Sequence, residues 1–117
     1  MSEKVIILLD DDAILRKHFT LILNNEGYTV IGDNDSDKIS ELITRHSPIL
    51  VITDLFMPDH NGTEAILKIR DKTQIPIIAI SGFENMLNIV KPMVNACLLK
   101  PVQDETLINT VREVLEK

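Results

Sequence analysis

Four apolar runs in the sequence are each followed by side chains that can take part in chemistry. The residues after these runs are Asp10 and Asp11, then Asp54, then Ser81, and finally Lys100. Each run is rich in Ile, Leu and Val, which favours a strand of a parallel sheet that is covered on both faces. Because the carboxyl ends of parallel strands lie at one edge of the sheet, we expect these residues to form one site.

Three carboxylates at one edge of a sheet repel one another unless a cation lies between them. If the first and third strands are neighbours, Asp10, Asp11 and Asp54 converge, and Mg²⁺ is the cation expected. Magnesium takes one or two carboxylates, keeps several waters and coordinates phosphate oxygens. The three histidines, His18, His46 and His60, are scattered along the chain, and we interpret them as surface or ordinary residues. Without a His/Cys cluster, the sequence does not predict a zinc site.

A carboxylate beside Mg²⁺ can attack phosphorus and form an acyl phosphate. Lys100 can pair with the phosphoryl oxygens as a mobile point charge, and Ser81 can donate one hydrogen bond. Each residue also has an ordinary interpretation: the acids at 10–12 can cap a helix, Asp54 can be a solvated loop acid, and Lys100 can be a surface charge. Their occurrence together at matching strand ends favours the functional interpretation.

The elements that must position these residues alternate between strand and helix along the whole chain. Strands are expected at 5–9, 28–31, 49–52, 75–80 and 96–99, and helices follow each of them. The second helix is expected to be capped by Ser36, the third to span 63–70 and the last 104–115. The fourth, at 84–90, is expected to be short or mobile, since it contains two asparagines and Pro92 must end it. Strands alternating with helices imply right-handed crossovers and a doubly wound, parallel α/β fold.

Composition narrows the class of protein further. The chain has 117 residues, 44% of them hydrophobic, which suits one domain spanning 1–117 with a single aliphatic core. A net charge of -6 argues against nucleic-acid binding. No apolar run approaches the roughly 20 residues needed to span a bilayer. Together with a single cysteine, Cys97, this predicts a protein of the cytoplasm.

The motifs around the candidate residues resemble those of response-regulator receiver domains. They read LLDDD at 8–12, TDLFMPDHNG at 53–62, AISG at 79–82 and LLKP at 98–101, and the resemblance covers nearly the whole chain. It implies a flavodoxin-like, five-stranded parallel sheet of strand order 2-1-3-4-5 with helices on both faces. It also implies a cis peptide bond between Lys100 and Pro101.

The same resemblance implies a role for each candidate residue. Asp54 would be the phosphoacceptor, and Asp10, Asp11, Asp54 and the backbone carbonyl of Phe56 would hold Mg²⁺. Ser81 would be the switching hydroxyl and Lys100 the phosphate-pairing cation.

The function implied is a phosphoryl-accepting signalling switch of a two-component system or phosphorelay. A histidine kinase or a histidine phosphotransfer domain would donate the phosphoryl group. A downstream protein, or an output domain beyond these residues, would respond to the change, with no nucleic acid or membrane contacted by this domain. The chain would modify itself and lose the group again, and it would not be a turnover enzyme.

Several positions depart from the usual pattern of the family. Cys97 stands where receivers commonly carry Tyr or Phe, Met93 and Val94 stand where Gly-Ala is common, and Gly82 stands where Ala is typical. The aromatic half of the switch is therefore missing, and we expect phosphorylation to act on the loop after Ser81 and on the fourth helix.

Two other functions would account for part of this pattern. A haloacid-dehalogenase-type phosphatase would use Asp10 and Asp12 as nucleophile and acid, but the chain is short and the Asp54 loop would have no role. A receiver-like interaction module that never takes phosphate would be expected to lose an acid or the lysine, and none is lost here.

Overall fold

The computed structural model describes residues 3–57 and 60–117. Its elements, in chain order, are β1 (Val5–Leu9), α1 (Ala13–Asn25), β2 (Thr29–Asp33), α2 (Ile39–His46), β3 (Leu50–Asp54), β4 (Phe56–Met57), β5 (His60–Asn61), α3 (Gly62–Lys72), β6 (Ile77–Ser81), α4 (Glu84–Val90), β7 (Ala96–Leu99) and α5 (Asp104–Leu115). Short 3₁₀ turns lie before α2, at Ser36–Lys38, and after α4, at Lys91–Met93.

Five strands form one parallel sheet in the order β2-β1-β3-β6-β7. Counted by the strands of this sheet alone, the order is 2-1-3-4-5, so the predicted fold is confirmed. β1 and β3 are neighbours, with Leu9 opposite Thr53. Asp54, the last residue of β3, lies opposite Ile80, and Ser81 ends β6. The carboxyl ends of the central strands therefore meet at one edge, as the site requires.

Side chains of the sheet alternate between two cores, one on each face. Ile6 and Leu8 of β1 pack in the core formed with α1 and α5, which contains Phe19, Leu23, Leu107 and Val111. Ile7 and Leu9 point the other way, into the core formed with α2, α3 and α4. Each central strand is buried along its whole length. This burial explains the continuous apolar runs and gives the site a rigid base.

Several predicted boundaries differ from those observed. β2 is Thr29–Asp33 where 28–31 was predicted, and β6 is Ile77–Ser81 where 75–80 was predicted. β3 runs to Asp54, beyond the predicted end at 52, and α3 is longer than predicted. The pairing of β4 with β5 was not predicted, because two-residue strands leave no periodic pattern.

The prediction that Ser36 caps the second helix is wrong. Ser36 is buried, and the residue before it, Asp35, accepts a hydrogen bond from the N–H of Asp37 and caps a 3₁₀ turn. α2 begins only at Ile39 and has no side-chain cap.

α4 is seven residues long, so it is short as predicted. In the described part of the chain, no helix has the length and apolar character that crossing a membrane requires.

Candidate functional site

The acidic residues after β1 and at the end of β3 form one cluster. One carboxylate oxygen from each of Asp10, Asp11 and Asp54 lies within 4.8 Å of the other two. Asp10 and Asp54 are buried, with 1% and 4% of their surface exposed, while Asp11 is exposed. Within the residues that the structure describes, this is the one such group of three or more possible metal ligands. The sequence prediction that these three acids converge is therefore met.

Lys100 lies against this cluster. Its Nζ donates a hydrogen bond of 2.7 Å to Oδ2 of Asp54 and is 3.7 Å from Oδ2 of Asp10. The peptide bond from Lys100 to Pro101 is cis, as predicted. The backbone N–H of Lys100 donates to the carbonyl of Ser81, which ties the end of β7 to the end of β6.

The pKa values of Asp10 and of the neighbouring Lys100 are both shifted by their surroundings. Burial raises the pKa of Asp10, and the charges of Asp54 and Asp11 add to the effect, although the N–H of Asp12 and the charge of Lys100 partly offset it. Burial by itself would lower the pKa of Lys100. The hydrogen bond to Asp54 and the charge of Asp10 outweigh burial, so the pKa of Lys100 is raised. Lys100 therefore stays charged at neutral pH and partly compensates the buried carboxylates.

The donor set fits Mg²⁺. Three carboxylates with oxygens within 4.8 Å of one another offer the hard oxygen ligands that this ion prefers, and the exposure of Asp11 leaves room for waters and a phosphate oxygen. The backbone N–H of Phe56 donates a hydrogen bond of 3.1 Å to Oδ1 of Asp54. That its carbonyl completes the metal ligands stays a prediction.

Ser81 is fully buried at the end of β6. Its Oγ accepts a hydrogen bond of 3.0 Å from the N–H of Phe83, the residue at the N-cap position just before α4. The hydroxyl proton is available to a further acceptor, because a hydroxyl both donates and accepts. Ser81 is thus bonded to the start of α4, and its backbone is bonded to Lys100.

A cleft of about 350 Å³ opens over the carboxylates, with Phe56 and Phe83 at its edge and Lys100 in its lining. The two rings are each 56% exposed and contact each other edge to face, their centroids 5.8 Å apart. Nothing in the sequence indicates that these two rings contact each other.

A larger cavity, of about 490 Å³, lies between α4 and β7, away from the carboxylates. Cys97 and Leu87 are among the residues lining it. Burial raises the pKa of the Cys97 thiol. A raised pKa disfavours the reactive thiolate, as expected of a small, partly buried side chain without a redox role.

Two further residues near the site have structural roles. Asp12 caps α1, its Oδ1 accepting from the N–H groups of Ile14 and Leu15, so the ordinary interpretation of this acid holds. Arg16 donates from Nη1 to the backbone carbonyl of Asp10 at 2.6 Å. An arginine four residues into an amphipathic helix has no sequence signature that would have revealed this contact.

The histidines are not part of the cluster. His18 is exposed and contacts Asp104 across 2.7 Å, joining α1 to the start of α5. His46 is the last residue of α2. The side chain of His60 lies outside the described residues.

A parallel sheet of this order places the protein in the flavodoxin-like α/β class, and an acidic cluster, a hydroxyl and a lysine lie together at its carboxyl edge. The chain belongs to the response regulator receiver domain family, whose family model matches residues 6–112. This membership excludes the haloacid-dehalogenase alternative. Receiver domains are signalling domains of two-component systems, and the recognition made from the motifs is confirmed.

Two curated relatives illustrate the match. The "Transcriptional regulatory protein YdfI" of Bacillus subtilis is 30% identical over 111 residues, covering 91% of this chain and 52% of the relative. The "Regulator of RpoS" of Escherichia coli is 33% identical over 116 residues, covering 96% of this chain and 34% of the relative. The chain thus spans from about a third to about half of the length of these relatives.

Solved structures agree on the fold. The receiver domain protein from Methanospirillum hungatei has a TM-score of 0.88 at 27% identity, covering 98% of this chain and 95% of that one. The chemotaxis response regulator CheY4 of Vibrio cholerae has a TM-score of 0.88 at 23% identity, covering 97% of this chain and 100% of that one.

Proposed function

We propose that this chain is a phosphoryl-accepting signalling switch in which Asp54 takes the phosphoryl group. The observation that carries the proposal is the 2.7 Å hydrogen bond from Lys100 to Asp54 inside the carboxylate cluster. A cation held at this point can pair with a phosphoryl group on Asp54 as it now pairs with the carboxylate. Family membership supports the same assignment.

The proposed step is a phosphoryl transfer. A carboxylate oxygen of Asp54 attacks the phosphorus of a phosphohistidine, the new P–O bond forms, the P–N bond breaks, and the histidine nitrogen keeps its electron pair. When bound by Asp10, Asp11, Asp54 and the carbonyl of Phe56, Mg²⁺ supplies charge neutralisation at the transferred oxygens. Lys100 pairs with one of these oxygens, and Ser81 donates its hydroxyl proton to another. The chain then acts as an acceptor that modifies itself and is not a turnover enzyme.

The partners follow from this role. A histidine kinase or a histidine phosphotransfer domain would donate the phosphoryl group, and a downstream protein or an output domain would respond. The name of one relative, "Transcriptional regulatory protein YdfI", supports the idea that the response concerns gene expression. The cytoplasm stays the expected compartment.

The test is intact-protein mass spectrometry after incubation with a small acyl-phosphate donor and Mg²⁺. We expect one phosphoryl group on the wild type, none on Asp54→Asn, and little on Asp11→Ala or in the presence of chelator. Asp71→Asn, which removes an exposed acid on α3 outside the cluster, is the matched control and should be labelled like the wild type. Labelling of Asp54→Asn would refute the acceptor assignment. A wild type that takes no label from this donor or from a phosphohistidine protein would favour the interaction module.

A further inference from the structure

Asp10 lies one residue beyond the end of β1, where its backbone leaves the strand ladder. Its N–H still donates to the carbonyl of Asp33 at the end of β2, at 3.1 Å. Its own carbonyl accepts from Nη1 of Arg16, at 2.6 Å. A side chain of α1 therefore binds the backbone of Asp10 where the strand pairing ends. Both the N–H and the carbonyl of Asp10 are hydrogen bonded.

The neighbouring strand is shaped to admit the arginine. Gly32 of β2 lies against its aliphatic stem, and a Cβ added at Gly32 would come within 3.1 Å of both Cγ and Cδ of Arg16. Such contacts are tighter than ordinary van der Waals distance, so a methyl group here would displace the stem by a few tenths of an ångström. The φ angle of Gly32 is not in the left-handed region, so the missing side chain and not the backbone conformation explains the glycine.

We infer that Arg16 is a positioning residue for the metal site, and that Gly32 serves by making room for it. The peptide group between Asp10 and Asp11 is planar, so fixing the carbonyl of Asp10 also fixes the nitrogen of Asp11. The Cα atoms that carry the two carboxylates are the two ends of this planar group. Residues that orient metal ligands without touching the ion change its affinity by about 10- to 100-fold when they are replaced. This inference rests on the proposed Mg²⁺ site.

The test is the Mg²⁺ affinity of the unphosphorylated protein, measured by titration of backbone amide signals in nuclear magnetic resonance. We expect Arg16→Ala to bind Mg²⁺ about tenfold more weakly than the wild type. Arg16→Lys should recover part of the loss, because an ammonium can donate one hydrogen bond but lacks the planar fork of the guanidinium. Lys17→Ala, which removes an exposed positive charge from the next position of α1, is the matched control and should leave the affinity unchanged.

Gly32→Ala gives an independent variant with Arg16 intact. It should weaken Mg²⁺ binding in the same direction, and the double variant with Arg16→Ala should bind no more weakly than Arg16→Ala alone. This loss of additivity is expected because the methyl group has nothing left to displace once the stem is gone. The free energy of unfolding with chelator is measured alongside, since a merely structural role would lower it without changing the Mg²⁺ affinity.

Each outcome decides the matter. Wild-type affinity in Arg16→Ala, or effects of the two substitutions that add, would overturn the positioning role and leave the proposed function standing. If Arg16→Ala does not fold, Gly32→Ala alone decides, and an unchanged affinity there overturns the inference. A wild type that binds no Mg²⁺ at all would overturn both this inference and the proposed metal site.

Discussion

Replacing Lys100 with methionine removes a charge while keeping an unbranched side chain. In metal-free buffer the carboxylates of Asp10 and Asp54 would then face each other without a cation, their side chains only 2% and 5% exposed. Breaking a buried ion pair by removing one partner costs about 3 to 5 kcal/mol. Lys100 is 27% exposed, and a carboxylate can relieve the repulsion by taking up a proton. We therefore expect the free energy of unfolding to fall by about 2 kcal/mol.

The assay is urea unfolding of wild type and variant at pH 7 with chelator and again with saturating Mg²⁺. The ion should shrink the difference, because it replaces the missing positive charge. Lys68→Met is the matched control: its ammonium is 3.5 Å from Asp37, but both side chains are exposed, so its loss should cost about 0.5 kcal/mol or less.

The difference should also depend on pH. The charge of Lys100 lowers the pKa of Asp10, so the stability that Lys100 contributes through this pair is present at neutral pH and is lost as the pH falls through the folded-state pKa of Asp10. The raised pKa of Lys100 itself acts only at alkaline pH, outside this range. The two proteins should therefore converge in stability toward about pH 4. A loss no greater than that of Lys68→Met, or one that is equal at pH 7 and pH 4, would refute the compensation argument.

Three further outcomes follow from the site. Asp10→Asn should raise the free energy of unfolding in metal-free buffer at pH 7, because burial raises the pKa of Asp10 and so disfavours its charged form in the folded protein. Urea unfolding with Mg²⁺ should show that the variant no longer gains stability from the ion. Phe56→Asn and Phe83→Glu should each speed loss of the phosphoryl group several-fold in first-order decay measurements, because polar side chains can hold a water where the two rings now line the edge of the cleft; decay no faster than wild type would contradict this. Amide exchange should change most within 82–94 on phosphorylation, and a change confined to α1 would contradict the expected output path.

The sequence predicted the fold well because the signals for it are strong. A strand buried on both faces leaves a continuous apolar run, and the strands around Ile7 and Ile52 show such runs clearly. The converging acids could be predicted for the same reason, since strand ends in a parallel sheet meet at one edge. Boundaries were less well predicted, because the ends of β3 and β6 are polar residues that remain in the ladder: Asp54 and Ser81 are paired in the sheet.

Contacts between distant side chains could not be predicted. The bond from Arg16 to the carbonyl of Asp10 depends on how α1 lies over β2, and the space for it depends on Gly32. The cap at Asp35 was missed because two neighbouring residues could each serve and only the observed turn selects between them. That residues 1–117 form a single domain stays a prediction, as do the roles assigned to the site residues.

The hydrogen bonds around Ser81 provide a route by which the proposed phosphorylation could act without an aromatic residue at position 97. The Oγ of Ser81 accepts from the N–H of Phe83, and its carbonyl accepts from the N–H of Lys100. If Ser81 donates to a phosphoryl group, as proposed, its side chain moves toward Asp54 while the bond to Phe83 can persist, so the start of α4 moves with it. α4 has no side-chain cap and is only seven residues long, and a cavity of about 490 Å³ lies between it and β7. A short helix beside a cavity repacks at low cost. A displacement of Ser81 could therefore be accommodated by a shift of α4.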